Sequence, residues 1–233
     1  MWSASRLPDS YYEQKRPDQG IDNAVSAFQK GNPVLIHDNS ERENEVDLVY
    51  PAHAVTPSDI AQLRNDAGGL ICVALAHDVA EKFALPFVDE AITHPAGNET
   101  EITYDDRSSF SLTVNHRDTF TGIVDNDRAR TISEIGKAAR DPDSTDFAAE
   151  FDTPGHVHLL KAAPNLLADR QGHTELGVAL AKHAGVPPAV VVCEMLDDQT
   201  GGALSRSNAL SYAGDHDLVF LDESDIVDEI DSE

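Results

Sequence analysis

The sequence predicts an α+β protein, close to the α/β type, in which helices flank one mixed β-sheet. Strand-like and helix-like segments alternate along the chain, which is the pattern of folds that pack helices against a sheet. The length of 233 residues suits one large domain. Neither an internal repeat nor a low-complexity linker divides the sequence, so we expect a single domain over residues 1–233.

Short apolar runs predict strands, and amphipathic runs with capping signals predict helices. Gly31 follows the first helix, and Thr56 with Pro57 is a typical helix start. The predicted strands cover residues 33–38, 46–52, 70–75, 108–116, 156–163, 189–196 and 218–222. The predicted helices cover residues 21–31, 56–69, 77–84, 127–140, 174–185 and 205–214. Residues 1–20 are expected to form an N-terminal extension, and residues 85–107, without a period, a surface excursion.

The chain is strongly acidic: 17 basic residues minus 42 acidic residues give a net charge of −25. Such a charge repels nucleic acid and anionic membrane surfaces, so we expect neither as a partner. The acids are spread along the chain and do not form a tail. A solvated acidic surface suits the cytoplasm of a halophile, which is a hypothesis about the environment and not about the reaction.

The two cysteines indicate the compartment. Cys72 and Cys193 form no CxxC pair and lie in apolar runs, which favours a reducing cytoplasm. The first residues lack the apolar core of a signal peptide. Every apolar run is far shorter than the roughly 20 residues that span a bilayer, so we expect a cytoplasmic protein without a membrane segment.

The stretch RENEVDLVYP places one arginine and three carboxylates just before and within the start of a predicted strand. Binding loops are often set at the ends of such rigid elements. Oxygen-rich clusters of this kind suit Mg²⁺ or Mn²⁺. The alternative is a solvated acidic hairpin, because runs of charge usually face water. The residues concerned are Arg42, Glu43, Glu45 and Asp47.

A second candidate site lies at the predicted start of the helix at residues 174–185. Backbone N–H groups and the helix dipole make such a position suitable for an anion. Gly172 would let the backbone approach a phosphate, Arg170 could clamp it, and Thr174 could cap the helix. The alternative is an ordinary capped helix with an exposed histidine. The full set is Arg170, Gln171, Gly172, His173 and Thr174.

Three further positions could carry chemistry. Glu194 interrupts an apolar strand and needs a partner, a metal or a cleft, unless it is a strand-end acid facing water. His156 follows a predicted turn at Pro154 and Gly155 and shares a strand face with His158, so the two could form a metal site, and a structural role for each is the alternative. Cys72 could be a nucleophile, although a small hydrophobic residue in a strand is the default interpretation.

Taken together, these segments resemble the 3,4-dihydroxy-2-butanone 4-phosphate synthase family of riboflavin biosynthesis, in its archaeal form. The resemblance runs from about Ile21 to Leu221, and six motifs in family order make it specific. The motifs are DNSERENEVDLV, DAGGLICVAL, SSFSLTVNHRDTFTGIVDNDRARTI, TPGHVHLLKA, RQGHTELGVALAKHAG and VVVCEMLDD.

The resemblance implies a lyase that converts D-ribulose 5-phosphate into formate and 3,4-dihydroxy-2-butanone 4-phosphate. It implies two Mg²⁺ (or Mn²⁺) ions per site, a metal-stabilised enediolate, a rearrangement of the carbon skeleton and a homodimer. Glu43 and His173 resemble the metal ligands, and Arg170 through Thr174 the turn that holds the phosphate. Other substrate contacts and catalytic positions are implied at Arg42, Asp47, Glu194, Glu45, Asp38, Cys72 and His156.

Two other functions remain open at this level. A Mg²⁺-dependent isomerase or aldolase of sugar phosphates would use the same metal and phosphate features, and only the products would distinguish it. An acidic metal- or partner-binding module would bind ions without turnover. The module leaves the phosphate-type turn at Arg170 to Thr174 unexplained.

Overall fold

The computed structural model describes residues 20–38, 43–94 and 108–230, and its strands form one seven-stranded sheet in the order β4-β5-β3-β6-β2-β1-β7. The pairs β1/β7 and β3/β5 are parallel, and the other neighbours are antiparallel. The predicted mixed sheet is therefore confirmed. The strands are β1 (Val34–His37), β2 (Val46–Pro51), β3 (Cys72–Leu75), β4 (Phe110–His116), β5 (Phe151–Lys161), β6 (Ala189–Val192) and β7 (Val219–Asp222).

Helices pack on the sheet, and each helix predicted from the sequence is present. Thr56 and Asp59 form a capping box in front of Pro57, as the sequence indicated for the second helix. The helices are α1 (Ile21–Gln29), α2 (Pro57–Gln62), α3 (His77–Lys82), α4 (Val88–Ala91), α5 (Asp125–Ala138), α6 (Phe147–Glu150), α7 (His173–His183), α8 (Arg206–Asp215) and α9 (Glu223–Ile230). Among the described residues, no helix is both long enough and apolar enough to cross a bilayer.

The centre of the sheet is buried on both faces. All residues of β1, β2, β3 and β6 are buried, which fits strands covered by helices on each side. Helix α7 packs with α1 and α9 and touches β3 and β6, whereas α5 packs with α2 and touches β4 and β6. Gly177 lets α7 approach closely, because a Cβ there would lie 2.9 Å from Cγ2 of Val190.

Two expectations need correction. Strand β5 runs through Pro154 and Gly155, where the sequence predicted a turn, because the β4–β5 register is irregular there and a proline without an N–H can be accommodated. Leu85 and Phe87 are buried, so the predicted surface excursion does not begin at residue 85. Residues 95–107 of that segment and residues 1–19 of the N-terminal extension lie outside the described residues.

The strand order brings four chain segments together at one edge of the sheet, which here means the edge formed by the ends of its interior strands. The end of β1 pairs with the start of β2 at His37 and Val46. The segment after β6 returns to β2 through a bridge between Glu194 and Asp47. The start of β3 pairs with the end of β6 at Cys72. The candidate site is built at this edge.

Candidate active site

Side chains from distant parts of the sequence form a cluster at this edge. One carboxylate oxygen each of Asp38 and Glu43 and one ring nitrogen of His173 lie within 4.8 Å of one another. Nδ1 of His173 is 4.0 Å from Oε2 of Glu43. The cluster therefore joins the two positions that resemble the family's metal ligands.

Asp38 organises the backbone of the acidic loop. Its Oδ1 accepts a hydrogen bond of 2.9 Å from the N–H of Glu45, and its Oδ2 accepts one of 3.3 Å from the N–H of Glu43. The N–H of Asp38 donates in turn to the carbonyl of Glu45 at 3.2 Å. The carboxylate of Asp38 thereby fixes where the side chains of Glu43 and Glu45 leave the loop.

Asp47 and His173 meet in the buried part of the cluster. Nε2 of His173 lies 3.6 Å from Oδ1 of Asp47, and among the described residues neither atom has a hydrogen-bond partner. Burial, followed by the charges of Glu194, Glu45, Glu43 and Asp38, raises the pKa of Asp47 well above its ordinary value. Burial and the charges of Glu43 and Glu194 also raise the pKa of Glu45.

These features fit a divalent cation. Buried polar atoms without partners are costly, and a cluster of carboxylates repels itself. A hard cation bound by carboxylate oxygens and one imidazole would give the buried atoms a partner and offset the repulsion. Mg²⁺ and Mn²⁺ are usually bound by carboxylates, and Mg²⁺ commonly has only a few protein ligands. The residues able to hold such an ion are Glu43 and His173, with Asp38 beside them.

Helix α7 explains why His173 is buried. The helix begins at His173 after Gly172, whose extended backbone (φ −90°, ψ 169°) occupies the N-cap position. His173 and Thr174 are both buried under the first turn. The alternative of an exposed histidine is therefore wrong, and Thr174 is the second helical residue and not the cap.

The turn before α7 is organised by Glu175. This residue is fully buried, its Oε2 accepts from Nη1 of Arg170, and its Oε1 accepts from the N–H of Ala163 at 2.9 Å. Burial raises the pKa of Glu175, and the guanidinium of Arg170 opposes that rise. Gly172 makes room for the pair, since a Cβ there would lie 2.4 Å from Nη1 of Arg170. Gln171 lies in the same turn and is partly exposed.

Glu194 is held by the residues before β3. Its Oε2 accepts a hydrogen bond of 2.9 Å from the N–H of Leu70, and its carbonyl accepts one of 3.0 Å from Gly69. A Cβ on Gly69 would lie 2.5 Å from both of these oxygens. The carboxylate is thus fixed against the backbone, which is not the situation of a strand-end acid surrounded by water.

The remaining predicted positions are more scattered. Cys72 is buried at the start of β3, where burial, then the charges of Glu194 and Asp47, raises the pKa of its thiol. His156 is exposed on β5, and its backbone N–H donates to Oδ1 of Asn115 at 2.8 Å. Within the described residues His156 makes no hydrogen bond to the cluster. Arg42 lies outside the described residues.

Sequence reasoning missed the residues that hold the site together. Glu175 carries no prediction from the sequence, because an acid in the first turn of a helix usually faces solvent. Its spacing of five from Arg170 across a glycine was the available signal. Gly69 and Leu70 were assigned to a helix end and a strand, and the glycine pair in DAGGL was the only sign of a close approach.

Comparisons with known proteins give the family. A family model described as 3,4-dihydroxy-2-butanone 4-phosphate synthase matches residues 22–229. The enzyme of that name from Archaeoglobus fulgidus is 47% identical over 220 residues, covering 89% of this chain and 92% of the relative. The one from Methanothermobacter thermautotrophicus is 42% identical over 216 residues, covering 89% of this chain and 94% of the relative.

Solved structures agree with this result. A crystal structure of 3,4-dihydroxy-2-butanone 4-phosphate synthase in complex with two magnesium ions superposes with a TM-score of 0.79 at 29% identity, covering 92% of this chain and 97% of that chain. A cation-free form of an enzyme of that name gives a TM-score of 0.77 at 27% identity, covering 92% and 98%. The chain belongs to the 3,4-dihydroxy-2-butanone 4-phosphate synthase family.

Proposed function

We propose that this protein converts D-ribulose 5-phosphate into formate and 3,4-dihydroxy-2-butanone 4-phosphate, the reaction of a lyase in riboflavin biosynthesis. Its family and the names of its archaeal relatives support this function. The observation that carries the proposal is the convergence of Glu43 and His173, beside Asp47, at one edge of the sheet. A phosphate-type turn directly precedes His173, so one substrate could reach both features.

Glu43 and His173 are the proposed ligands of two divalent ions, Mg²⁺ or Mn²⁺, and Asp38 shapes the loop that presents Glu43. When bound, such ions supply positive charge that stabilises negative charge developing on sugar oxygens. The relative whose crystal structure contains two magnesium ions supports the number of ions proposed here.

The turn at residues 170–174 is the proposed phosphate site. Arg170 would meet the phosphate with a guanidinium that Glu175 holds in place. The first turn of α7 adds backbone N–H groups and the positive end of the helix dipole at His173 and Thr174. Gln171 and Gly172 would approach the phosphate from the same turn, and Arg42 is proposed as a further substrate contact.

Asp47 and Glu194 are the proposed proton-transfer residues. The reaction requires several proton movements, so it needs more than one acid or base, each contributing about 10²–10⁴-fold in rate. Asp47, whose pKa is raised by burial and by the neighbouring carboxylates, is proposed to give a proton to the substrate. Glu194, whose Oε2 is fixed by Leu70, is proposed to accept a proton from the sugar.

The other predicted positions keep supporting roles in the proposal. Glu45 lies beside the cluster and is proposed as a further proton-transfer residue. Cys72 would line the site as a neutral thiol, because its raised pKa argues against a thiolate nucleophile. His156 stays a proposed site residue on the evidence of the motif alone.

The direct experiment mixes purified protein, D-ribulose 5-phosphate and Mg²⁺ and measures formate. We expect stoichiometric formate, its loss with EDTA, and at least about 10²-fold slower turnover for Glu43→Gln and His173→Ala. His77→Ala is the matched control, since His77 lies on α3 and contacts the carbonyl of Ala162. Formate at near-normal rates from both site variants would refute the assignment of the site.

The proposed assembly is a homodimer. Phe120 is 98% exposed, and Ile123 and Val124 in the same segment are about half exposed. Large apolar side chains grouped on a surface usually mark an interface. Light scattering should give twice the mass of the chain, and Phe120→Asp should shift it towards the monomer. A monomeric wild-type protein at micromolar concentration would contradict this proposal.

The single domain, the cytoplasmic location and the adaptation to salt are also proposals. The acidic composition with its charge of −25 supports the last of these. We expect the free energy of unfolding to rise with KCl, because salt screens repulsion among the acids. Full stability in dilute buffer would contradict adaptation to salt.

Rates with Mn²⁺ and Mg²⁺ at equal occupancy would decide which ion is preferred.

A further inference from the structure

Four side chains form a continuous chain of contacts behind the acidic loop. Nε and Nη2 of Arg206 donate to the two carboxylate oxygens of Asp222. Oδ1 of Asp222 is 3.0 Å from Nδ1 of His37, and Nε2 of His37 is 3.2 Å from Oδ1 of Asn44. The chain thus leads from the start of α8, across the ends of β7 and β1, to the loop that carries Glu43.

Asn44 has a strained backbone among the described residues of this loop. Its φ of +54° lies in the left-handed region, which asparagine tolerates better than most residues. It stands between Glu43, a proposed ion ligand, and Glu45, whose N–H donates to Asp38. The backbone conformation of Asn44 therefore decides the directions of the two neighbouring carboxylates.

His37 is held rigidly on the side away from Asn44. The parallel pairing of β1 with β7 places His37 directly opposite Asp222. Its ring stacks on the ring of Phe220 at 6.4 Å between centroids, and the guanidinium carbon of Arg206 lies 5.2 Å from the centroid of that phenylalanine ring. Since an ionised Asp222 can only accept, Nδ1 of His37 donates to it and Nε2 faces the amide of Asn44.

With Nδ1 donating to Asp222, Nε2 of the neutral ring is an acceptor, so the contact is satisfied when the amide of Asn44 is turned end for end and its Nδ2 donates to Nε2. The histidine is nine-tenths buried and fixed by the partners described above. It is well suited to hold a turn in one conformation.

We propose that His37 is a positioning residue, which through Asn44 holds the acidic loop in the conformation that directs Glu43 towards His173. It contacts neither the ion nor the substrate. Asp222 and Arg206 extend the same support into the C-terminal part of the fold. The inference deepens the proposed function of Glu43 as an ion ligand, but it concerns the affinity for the ion and can be tested without turnover.

Two substitutions separate the two contacts of His37. In His37→Asn the side-chain amide nitrogen can take the place of Nδ1, so the bond to Asp222 is retained and the contact with Asn44 is lost. In His37→Gln the amide nitrogen can take the place of Nε2, so the contact with Asn44 is retained. Asn44→Gly removes the amide while keeping a residue that accepts a positive φ.

The test measures Mn²⁺ binding to metal-free protein by calorimetry, with hydrogen exchange of the Glu45 N–H as a second measurement. Partners of metal ligands are typically worth about 10–100-fold in affinity. We expect His37→Asn and Asn44→Gly to weaken Mn²⁺ binding at least about tenfold. The Glu45 N–H should exchange faster in both, whereas His37→Gln should stay closer to the wild type in both measurements.

His77→Asn, on α3, controls for the general loss of a partly buried histidine and should bind Mn²⁺ like the wild type. Excess Mn²⁺ should restore kcat in His37→Asn, which a general folding defect would not allow. Folded His37→Asn and Asn44→Gly proteins that bind Mn²⁺ within twofold of the wild type would overturn the proposal. If His37→Asn does not fold, Asn44→Gly alone decides.

The two proposals fail in distinguishable ways. Wild-type protein that binds Mn²⁺ but releases no formate would end the proposed reaction and leave the role of His37 intact. Formate release by the wild type, with unchanged Mn²⁺ affinity in His37→Asn and Asn44→Gly, would support the proposed reaction and end the proposed role of His37.

Discussion

Oδ1 of Asp47 lies 3.6 Å from Nε2 of His173, and in the described part of the chain both atoms are buried without a hydrogen-bond partner. An arrangement of this kind lowers the stability of the fold, because buried polar atoms lose their water without a replacement. Sites that bind or react commonly keep such unsatisfied groups. The arrangement of Asp47 and His173 therefore lowers the stability of the fold at a position that is suited to binding.

Replacing Asp47 with asparagine should stabilise the metal-free protein and slow turnover. The pKa of Asp47 is raised in the folded protein. The stability that its protonated carboxyl group contributes is therefore fully present below the ordinary pKa of 3.8, and it is lost as the pH rises through the pKa in the folded protein. The free energy of unfolding of Asp47→Asn should thus exceed that of the wild type by an amount that grows with pH, to about 1 kcal/mol near neutrality.

Urea unfolding of both proteins at pH 5 and pH 8, with EDTA, measures this difference. Asp47→Asn should also lower kcat by about 10²–10⁴-fold. A variant that is less stable than the wild type at pH 8 would show that the carboxylate of Asp47 makes a net favourable contact in the folded protein.

Divalent ions should raise the melting temperature of the wild-type protein. A ligand that binds only the folded state stabilises it by about 2.7 kcal/mol at a hundredfold excess over Kd. Thermal scans with and without Mn²⁺ measure the shift, and Glu43→Gln should lose most of it because a proposed ligand is removed. Glu134→Gln, an acid paired with Lys137 on α5, should keep the full shift. Equal shifts in both variants would place the ion elsewhere.

Glu175→Gln should weaken substrate binding more than the chemical step. The buried carboxylate holds the guanidinium of Arg170, and glutamine keeps the acceptor for Ala163 but loses the ion pair. We expect KM for the sugar phosphate to rise about tenfold or more, with a smaller change in kcat, because charge-assisted contacts to phosphate are worth at least about 1.5 kcal/mol.

Gly172→Ala tests the same turn independently, since its Cβ would displace Nη1 of Arg170. Its KM should rise together with that of Glu175→Gln. If steady-state kinetics show an unchanged KM in both variants, Arg170 does not bind the phosphate.

Gly69→Ala should lower kcat because the added methyl group would press against the carboxylate of Glu194. The new Cβ would lie 2.5 Å from Oε2 of Glu194, so this proposed base must move. A displacement of about 1 Å can cost about 10²-fold in rate. Gly202→Ala is the matched control, since its Cβ would meet only Oγ1 of Thr200, at 3.7 Å, in the part of the chain that the structure describes. Equal rates in the two variants would contradict a catalytic role for the position of Glu194.

The sequence was sufficient for the elements whose signals are local. The helix starting at Pro57 has its cap in the adjacent residues, and β2 has its apolar run in one segment. The order of the strands depends on contacts between residues far apart, which no period encodes. Strand β5 was shortened in the prediction because Pro154 argues against a strand unless an irregular register accommodates it.

The candidate site shows the same limit. Charge and glycine patterns singled out Glu43 and His173 separately, and only the resemblance to a family joined them before the structure did. The supporting residues escaped notice because their role depends on burial. Glu175 is fully buried although first-turn glutamates are usually solvated, and His37 meets Asp222 only through the pairing of β1 with β7.

Crystals of the protein soaked in Mn²⁺ would test most directly whether Glu43 and His173 share an ion. An anomalous difference map should show a peak within coordination distance of a carboxylate oxygen of Glu43 and a ring nitrogen of His173. A fully occupied peak elsewhere, with the space between these two side chains empty, would contradict the proposed metal centre.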